Sequence, residues 1–302
     1  MEVSQLQILR ELGDLGSVTA VAHAMYVTPS AVSQQLALLQ RNIQVPLTRK
    51  EGRNLVLTEA GEVLAAAGAS VISSLAAARA AIGDFQESPA AAVSVAGFHS
   101  VGQALFAPLL AKLEAHGAPV PRFFDEDVAQ QDFPALTARY DLVLAHRMDF
   151  SPVWPADKVV VSALAHEPLD IALPAGHRLA AKRTLVPSDL TEERWVVSRE
   201  GYSPADVLLA ISAVSGVAPQ IVHRINDYAT VATLVAAGEV LGIIPRYTAG
   251  AVLGTSVVLR PLEGIANRRR IDLLARPESM QRLSVQLVAR AMGEAMAELS
   301  TP

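Results

Sequence analysis

A short helix predicted near the amino end carries hydroxyl and amide side chains on one face, namely Ser30, Ser33 and Gln34. Its opposite face is apolar at helical spacing and consists of Val32, Leu36 and Leu39. A glutamine amide can make a paired hydrogen bond to adenine, and a serine hydroxyl can bond to either kind of base edge. Held rigidly, such a helix can enter the major groove of DNA, and Ser33 and Gln34 are then the candidate base-reading residues.

A second short helix is predicted just before it, and a three-residue turn separates the two. Ser17 and Thr28 stand where N-caps belong, and Pro29 occupies the first helical position, where its missing N–H costs nothing. Hydroxyls and backbone N–H groups at helix N-termini suit phosphate oxygens. Ser17, Thr28 and Ser30 are therefore candidate phosphate contacts beside the base-reading face.

A short basic hairpin follows at residues 47–57, and Arg49 and Arg53 flank its turn. These two arginines are candidates for phosphate or minor-groove contact. Residues 41–53 hold four basic and one acidic residue, but charges balance over residues 1–60 and the whole chain is −5. The prediction of DNA binding thus depends on pattern and not on bulk charge, and a merely solvated helix face is the alternative for Ser33 and Gln34.

Residues 58–87 are predicted to form one long alanine-rich helix that ends before Glu87-Ser88-Pro89. Its apolar positions follow a heptad-like spacing and are Ala60, Leu64, Ala67, Val71, Leu75, Ala78, Ile82 and Phe85. Such a seam suits close pairing with a second copy of the helix. Packing onto its own domain is the alternative.

From about residue 90 the pattern changes to strands that alternate with helices. The predicted strands are 92–97, 121–125, 141–146, 158–163, 169–174, 194–198, 220–226, 241–245, 257–261 and 271–276. The predicted helices are 101–115, 203–215, 228–237 and one near 279–299. This alternation predicts parallel sheets in two lobes, with a cleft at the carboxyl ends of the strands.

Composition limits the class of protein further. With 51% hydrophobic and 18% charged residues, the 302-residue chain can bury sizeable cores, and it has no cysteine for a disulfide or thiolate site. We expect a cytoplasmic protein, because no secretory signal opens the chain and apolar stretches are interrupted before a membrane span is complete. Phosphate-loop, nucleophile-elbow and paired-histidine metal motifs are missing, so we expect neither an enzyme nor a cofactor or metal.

Five segments together resemble the LysR-type transcriptional regulators. The segments are 28–36, 47–57, 58–61, 173–180 and 227–245, and the resemblance covers nearly the whole chain. It implies an α+β multidomain protein with an N-terminal winged helix-turn-helix, a long linker helix and a two-lobed α/β effector domain like a periplasmic binding protein. It also implies double-stranded DNA, a small-molecule effector and RNA polymerase as partners, and a homodimer or homotetramer.

The domains implied are a DNA-binding domain at 1–57, a linker at 58–88 and an effector domain at 89–302. Lobe I would hold about 89–162 and 267–302, and lobe II about 163–266. Three loops at strand ends would then face the interlobe cleft. With His146, the candidate effector contacts are His99, Ser100, Val101, Ser198, Arg199, Tyr202 and Asp227.

These polar groups suggest a small carboxylate as effector. Arg199 could pair a carboxylate in bidentate fashion, and His99 or His146 could orient it. The alternatives are a solvated loop arginine and a structural histidine.

A competing class is a small-molecule-binding protein or enzyme that uses the same lobes, with the N-terminal helices serving only in dimerisation. Specific DNA binding that weakens with salt distinguishes the regulator from this class.

Overall fold

The computed structural model describes residues 1–41, 43–52, 54–86, 92–115, 118–250 and 253–300, with only the backbone of 83–86. Arg53 and the predicted helix break at 87–89 lie outside the described residues, as does the side chain of Phe85. The domain boundaries predicted at 57/58 and 88/89 stay predictions.

The amino-terminal unit holds three helices and a β-hairpin. They are α1 (Val3–Leu15), α2 (Val18–Ala24), α3 (Pro29–Arg41), β1 (Thr48–Glu51) and β2 (Asn54–Leu57). Their apolar faces close one small core, in which the fully buried side chains are Leu9, Val21, Val32 and Leu39. The three helices pack as the apolar spacing predicted, since each contributes its buried face to the same core.

Helix starts in this unit follow the cap residues. The Ser17 hydroxyl accepts from Ala20 N at 3.1 Å, and the Thr28 hydroxyl accepts from Ala31 N at 3.2 Å. In the sequence, Ser4 with Gln7 three residues on predicts a capping box at the start of the first helix, and this prediction is wrong. The helix begins at Val3, and Gln5 Oε1 accepts from Glu2 N at 2.9 Å, so the capping pair lies two residues earlier.

The long helix α4 (Glu59–Gln86) starts against the hairpin. The Thr58 hydroxyl accepts from Gly61 N at 3.1 Å and donates to Pro46 O at 2.6 Å. A Cβ on Gly61 would lie 2.1 Å from Leu47 O, so only glycine allows this close approach. These contacts hold the start of α4 in a fixed position against the hairpin.

Much of α4 is apolar and exposed. Val63, Val71 and Ile82 are 67%, 49% and 62% exposed. Glu59–Ile82 is long and apolar enough to cross a membrane, and only 11% of that stretch is buried in the chain. The expectation that no stretch reaches this length was therefore wrong, because alanine, valine, isoleucine and leucine keep the mean hydropathy high between sparse charges. An exposed apolar surface of this kind is typical of an interaction site.

The remainder of the described chain is α/β. Its first part contains β3 (Ser94–Gly97), α5 (His99–Ala115), β4 (Arg122–Asp125), α6 (Phe133–Leu136), β5 (Leu142–Met148) and β6 (Val160–Pro174). Its second part contains β7 (Arg194–Val197), α7 (Ser203–Ser215), β8 (Gln220–Arg224), α8 (Tyr228–Ala236), β9 (Gly242–Pro245), β10 (Val257–Arg260), β11 (Arg268–Ala275) and α9 (Leu283–Leu299).

Sheet pairing corrects two sequence predictions. The strands predicted at 158–163 and 169–174 form the single strand β6, which continues through Glu167 and Pro168 from one lobe into the other. The sheets are mixed and not simply parallel. β3 pairs parallel with β4 and β5, and β7 with β8, but β11 lies antiparallel between β5 and β6, while β9 and β10 are antiparallel to β6. The reason is that β6 and β11 cross between the lobes in opposite directions.

Each lobe has its own apolar core. In lobe I, the fully buried leucines of α5, Leu105, Leu109 and Leu113, pack with Val285, Val288 and Met292 of α9. In lobe II, Trp195 of β7 packs with Leu208 and Ile211 of α7. Because β3 and β7 point their carboxyl ends toward the space between the lobes, the loops that follow them meet there.

Candidate functional site

The polar face of α3 points to solvent. Ser30, Ser33 and Gln34 are exposed, whereas Val32, Leu36 and Leu39 on the opposite face are buried. This is the arrangement that base reading requires, because a groove-binding helix must present its polar side chains free of its own core.

Hydroxyl groups line the start of this helix. The Thr28 and Ser30 hydroxyls lie 2.9 Å apart and both are exposed, next to Pro29 in the first turn. Ser17 caps α2 and is half-buried. A serine or threonine oxygen that accepts a capping bond can still donate its own proton, so these groups can bind a phosphate oxygen.

The hairpin presents exposed basic residues. Gly52 has φ of 60° in its turn, which favours glycine. Arg49 is 59% exposed and forms an ion pair with Glu51 at 3.0 Å. An exposed pair of this kind has a small net free energy, so a phosphate can replace Glu51 as the partner of Arg49.

The interlobe cleft brings several predicted effector residues together. His99, at the start of α5 in lobe I, places Nδ1 2.9 Å from Asp125 Oδ2 and Nε2 3.4 Å from Asp227 Oδ2 of lobe II. The Asp227 carboxylate also caps α8, accepting from Thr230 N at 2.8 Å, and bonding to the Thr230 hydroxyl lowers the pKa of Asp227. His99 therefore bridges the two lobes.

A second bridge joins Arg199 of lobe II to Asp127 of lobe I. Arg199 Nη2 lies 3.2 Å from Asp127 Oδ2, and its guanidinium stacks 5.4 Å from the centre of the Tyr202 ring. Tyr202 OH donates to Asp127 O at 3.0 Å, and Asn226 Nδ2 donates to Asp127 Oδ2 at 3.0 Å. Arg199 thus already binds a carboxylate, that of Asp127.

Ser100 lies on the floor of the cleft within a buried polar network. Its hydroxyl accepts from Thr248 Oγ1 at 3.2 Å and from Arg269 Nη2 at 3.3 Å. Arg269, 1% exposed, also bonds to Glu167 Oε2 at 2.8 Å, and Glu167 is 0% exposed. Burial raises the pKa of the neighbouring Tyr228 phenol to about 12.

Sequence reasoning missed Arg269, Glu167 and Thr248. The available signal was the presence of charged residues inside otherwise apolar strand patterns, since buried charges are retained only when they are paired. The sequence alone could not give their partner, because 102 positions separate Arg269 from Glu167 along the chain.

His146 has a structural role, which the sequence left open as the alternative to an effector contact. It is buried and bonds to the Ser203 hydroxyl at 3.1 Å, and its ring stands edge-on to Phe98 at 4.6 Å. Burial, together with the nearby Arg269 charge, lowers the pKa of His146 well below its usual value, so the ring is neutral near pH 7.

Two further residues predicted to contact the effector already form hydrogen bonds within the protein. Ser198 is buried, and its hydroxyl accepts from Ala205 N at 3.2 Å. Val101 is a correction, because its side chain is fully buried in the lobe I core and its N–H donates to Phe98 O at 3.0 Å. Neither its side chain nor its amide remains available to a ligand.

Metal-binding clusters were sought among the described residues. None of their histidine, aspartate and glutamate side chains form a group of three or more that could hold a metal ion.

A winged helix-turn-helix joined by a long helix to two α/β lobes defines a class of ligand-responsive DNA-binding regulators. Residues 3–62 match the family model for the bacterial regulatory helix-turn-helix protein, lysR family, and residues 86–297 match the LysR substrate binding domain. The chain belongs to the LysR family. It is a DNA-binding transcriptional regulator with a substrate-binding effector domain and not an enzyme, as the sequence predicted.

Known relatives cover the whole architecture. The HTH-type transcriptional regulator TtuA of Agrobacterium vitis is 26% identical over 282 residues, which span 91% of this chain and 90% of TtuA. A full-length OxyR variant from Pseudomonas aeruginosa superposes with a TM-score of 0.65 at 18% identity, over 97% of each chain. Full-length CbnR in complex with its target DNA gives a TM-score of 0.52 at 19% identity, over 96% of this chain and all of CbnR. At these identities the two structures support the fold alone.

Proposed function

We propose that this regulator reads double-stranded operator DNA through Ser33 and Gln34 of α3. The observation that supports this most directly is the exposure of both side chains beside a buried apolar face on the same helix. Ser17, Thr28, Pro29 and Ser30 position the helix N-termini against phosphates. Arg49 contacts the backbone or minor groove, and Arg53 is proposed for the same role from the sequence alone.

The same proposal includes a homodimer or homotetramer in the cytoplasm that acts with RNA polymerase at promoters. The exposed apolar surface of α4, with Val63, Val71 and Ile82 outward, supports pairing with a second copy. Two recognition helices in a dimer would lie about 34 Å apart or a multiple of it, so the operators should be near-palindromic.

A fluorescence anisotropy titration with a fragment of the protein's own promoter tests this function. We expect binding that is tighter than to a scrambled fragment of equal length, with an affinity that falls steeply as salt rises. Equal affinity for both fragments would contradict sequence-specific regulation. An affinity that does not change as the salt concentration rises would contradict phosphate contact by the basic hairpin.

For the effector we propose a small carboxylate held between the lobes. Arg199 and His99 each contact an aspartate carboxylate of the opposite lobe, so a carboxylate ligand would find the same donors there. A ligand acts only if it binds one lobe arrangement more tightly than another, because equal affinity shifts no equilibrium. Competition with Asp127 for Arg199 gives such a difference.

Calorimetry with a panel of amino and keto acids, each paired with its neutral amide, tests the ligand class. We expect at least one acid to bind and its amide to bind more weakly, with affinity reduced in the Arg199→Ala and Ser100→Ala proteins. Arg178→Ala is the matched control, since Arg178 is an exposed arginine that pairs with Glu193 within lobe II. Unchanged affinity in both cleft variants removes these residues from the site.

A further inference from the structure

Three basic side chains lie side by side on the face of the lobe I sheet that is turned away from the interlobe cleft. Arg270 of β11 is the direct antiparallel partner of Arg147 on β5 and of His166 on β6. Side chains of cross-strand partners leave the same face of a sheet close together. Because side chains alternate along a strand, this face is opposite the one from which Arg269 and Glu167 reach the cleft floor. We call Arg147, Arg270 and His166 the rear basic row.

Arg270 is unusual among the arginines of this strand. Its guanidinium has no hydrogen-bond or ion-pair partner among the described residues, although its Nε is buried. By contrast, Arg269 on the same strand and Arg276 just after it each bind a carboxylate, at 2.8 and 2.7 Å. A buried donor that lacks an acceptor costs free energy, so an acceptor supplied at this position would stabilise the protein.

The neighbouring Arg147 adds to this cost. It is 7% exposed, and its Nη1 donates to Ser151 O at 3.2 Å. Its Nε lies 3.7 Å from Asp272 Oδ2 and has no hydrogen bond to any described residue. The same Asp272 oxygen also accepts from Trp154 Nε1 at 2.7 Å. Since like charges directly opposite each other on a sheet are destabilising, Arg147 and Arg270 together favour an additional counterion.

The rear basic row is open to solvent at its outer end. The His166 side chain is 51% exposed and lies 3.6 Å from Asp149 Oδ1, and Arg268, two residues before Arg270 on the same face, is exposed. A small ligand can therefore reach Arg270 from this side. Positive charge is in excess around the row even when His166 is neutral, because three arginines stand against two aspartates, namely Arg147, Arg268 and Arg270 against Asp149 and Asp272.

We propose that the rear basic row is a binding site for a small oxyanion, the carboxylate or phosphate group of a metabolite. The Nε–Nη edge of Arg270 can hold two oxygens of one oxyanion in bidentate fashion. Arg147 supplies a second positive charge at the inner end, and His166 supplies a ring N–H at the outer end. This site lies behind the strands that cross between the lobes, so it is separate from the interlobe site and uses none of its residues.

Trp154 can report on binding at this site, because its indole N–H bonds to the Asp272 carboxylate beside Arg147. The chain has two tryptophans, Trp154 and Trp195, so fluorotryptophan labelling gives two fluorine resonances, and the Trp154→Phe protein assigns them. At neutral pH and constant ionic strength, we expect inorganic phosphate or acetate to shift the Trp154 signal saturably. The Trp195 signal, from the lobe II core, should not move. Separate titrations with the two anions distinguish a phosphate from a carboxylate ligand, and chloride should cause no shift.

Substitutions at Arg270 show whether the shift arises from this site. Arg270→Gln should lower the apparent affinity roughly tenfold or more, the usual effect of losing a charge-assisted hydrogen bond. Arg290→Gln, at an exposed position of α9, and Arg199→Gln, in the interlobe cleft, should bind as the unaltered protein does. An unchanged affinity in Arg270→Gln, or no saturable shift with either anion, overturns the proposal. A loss in Arg199→Gln instead would place the anion in the interlobe cleft and would also overturn it.

Thermal melting tests the charge argument independently. Without an oxyanion, Arg270→Gln should melt no lower than the unaltered protein, because the substitution removes a like charge opposite Arg147. Phosphate should then raise the melting temperature of the unaltered protein more than that of Arg270→Gln, since a ligand that binds only the folded chain stabilises it. Arg290→Gln measures the general stabilising effect of phosphate on proteins. A lower melting temperature of Arg270→Gln without an oxyanion, or an equal rise with phosphate in all three proteins, overturns the proposal.

Discussion

The outer face of α3 and the floor of the interlobe cleft are both polar, but their polar groups are used in opposite ways. Ser33 and Gln34 are exposed to solvent on a helix that is fixed by its apolar side. Ser100, Arg269 and Glu167 are buried and satisfy one another. The polar groups of α3 are free to bind a partner as they stand. The polar groups under the cleft must give up hydrogen bonds to one another before a ligand can bind there.

The largest effect should come from breaking the buried network under the cleft. Arg269→Met leaves Glu167 buried without its cation, and we expect a loss of ~3–5 kcal/mol in the free energy of unfolding. Urea titration followed by tryptophan fluorescence measures it, since Trp154 and Trp195 report on lobe I and lobe II. Arg290→Met, at an exposed position of α9, is the control and should change little.

A second variant refines that result. Adding Glu167→Leu to Arg269→Met removes both charges and should recover most of the lost stability, because the penalty arises mainly from the unpaired carboxylate. A loss below 1 kcal/mol in Arg269→Met would show that the network is not an essential part of the fold, and the contrast with α3 would disappear.

On α3, substitutions should change specificity and leave stability almost unaltered. Gln34→Ala should reduce discrimination between the operator and a mismatched site by ~1–3 kcal/mol, the typical value of one bidentate base contact. Parallel anisotropy titrations measure it, with Gln220→Ala, an exposed glutamine of lobe II, as control. Unchanged discrimination together with an unchanged unfolding free energy would place Gln34 on a merely solvated face.

Acid should destabilise the effector domain partly through His146. Its pKa is lowered in the folded state, so the unfolded chain binds a proton that the folded chain does not. Stability is therefore fully present above about pH 6.5 and is lost as the pH falls below it, with a slope of at most ~1.4 kcal/mol per pH unit for one proton.

His146→Gln keeps a side-chain hydrogen-bonding group near Ser203 but cannot titrate. The difference in urea midpoint between the two proteins should therefore change between pH 7 and pH 5, with the unaltered protein losing more. Parallel pH profiles would show that His146 takes up its proton in the folded state and that the cleft floor is more open to water than its burial indicates.

Among the substitutions in the cleft, the one at the rim should have the smallest effect on stability. Asp127→Asn weakens a bridge to Arg199 in which both side chains are about half exposed, and exposed pairs contribute ~0–1 kcal/mol. We expect a change of less than ~1 kcal/mol in the unfolding free energy. A much larger loss would mean that the rim, like the floor, is a fixed part of the fold.

The two regions also differ in how far the sequence could predict them. For α3, the caps at Ser17 and Thr28 and the spacing of Val32, Leu36 and Leu39 are local, so helix bounds and the outward face follow from neighbouring residues. For the cleft, His99, Arg199 and Asp227 were predicted to face the same space, but Asp127, the partner of Arg199, was not predicted. Asp127 lies in the other lobe from Arg199, and Glu167 lies on a different strand from its partner Arg269. Only the tertiary structure brings each pair into contact.

One strand prediction and one predicted effector contact differ from the structure for the same reason. Two strands were predicted at 158–163 and 169–174, but β6 continues through Glu167 and Pro168 because it crosses between the lobes at that point. Val101 was assigned to the cleft from its position after β3, yet one helical turn directs it into the lobe I core. In both cases the local pattern was read correctly and the long-range geometry decided the outcome.

The central claim is that the outward face of α3 reads bases, and pairing protein and DNA changes tests it most directly. Each adenine of the operator is replaced in turn by 7-deazaadenine, which lacks the N7 acceptor, and binding is measured with the unaltered protein and with Gln34→Ala. We predict one adenine in each half-site at which the replacement weakens binding by the unaltered protein and has no further effect on Gln34→Ala. If every replacement affects the two proteins equally, Gln34 does not contact a base and the account of α3 is wrong.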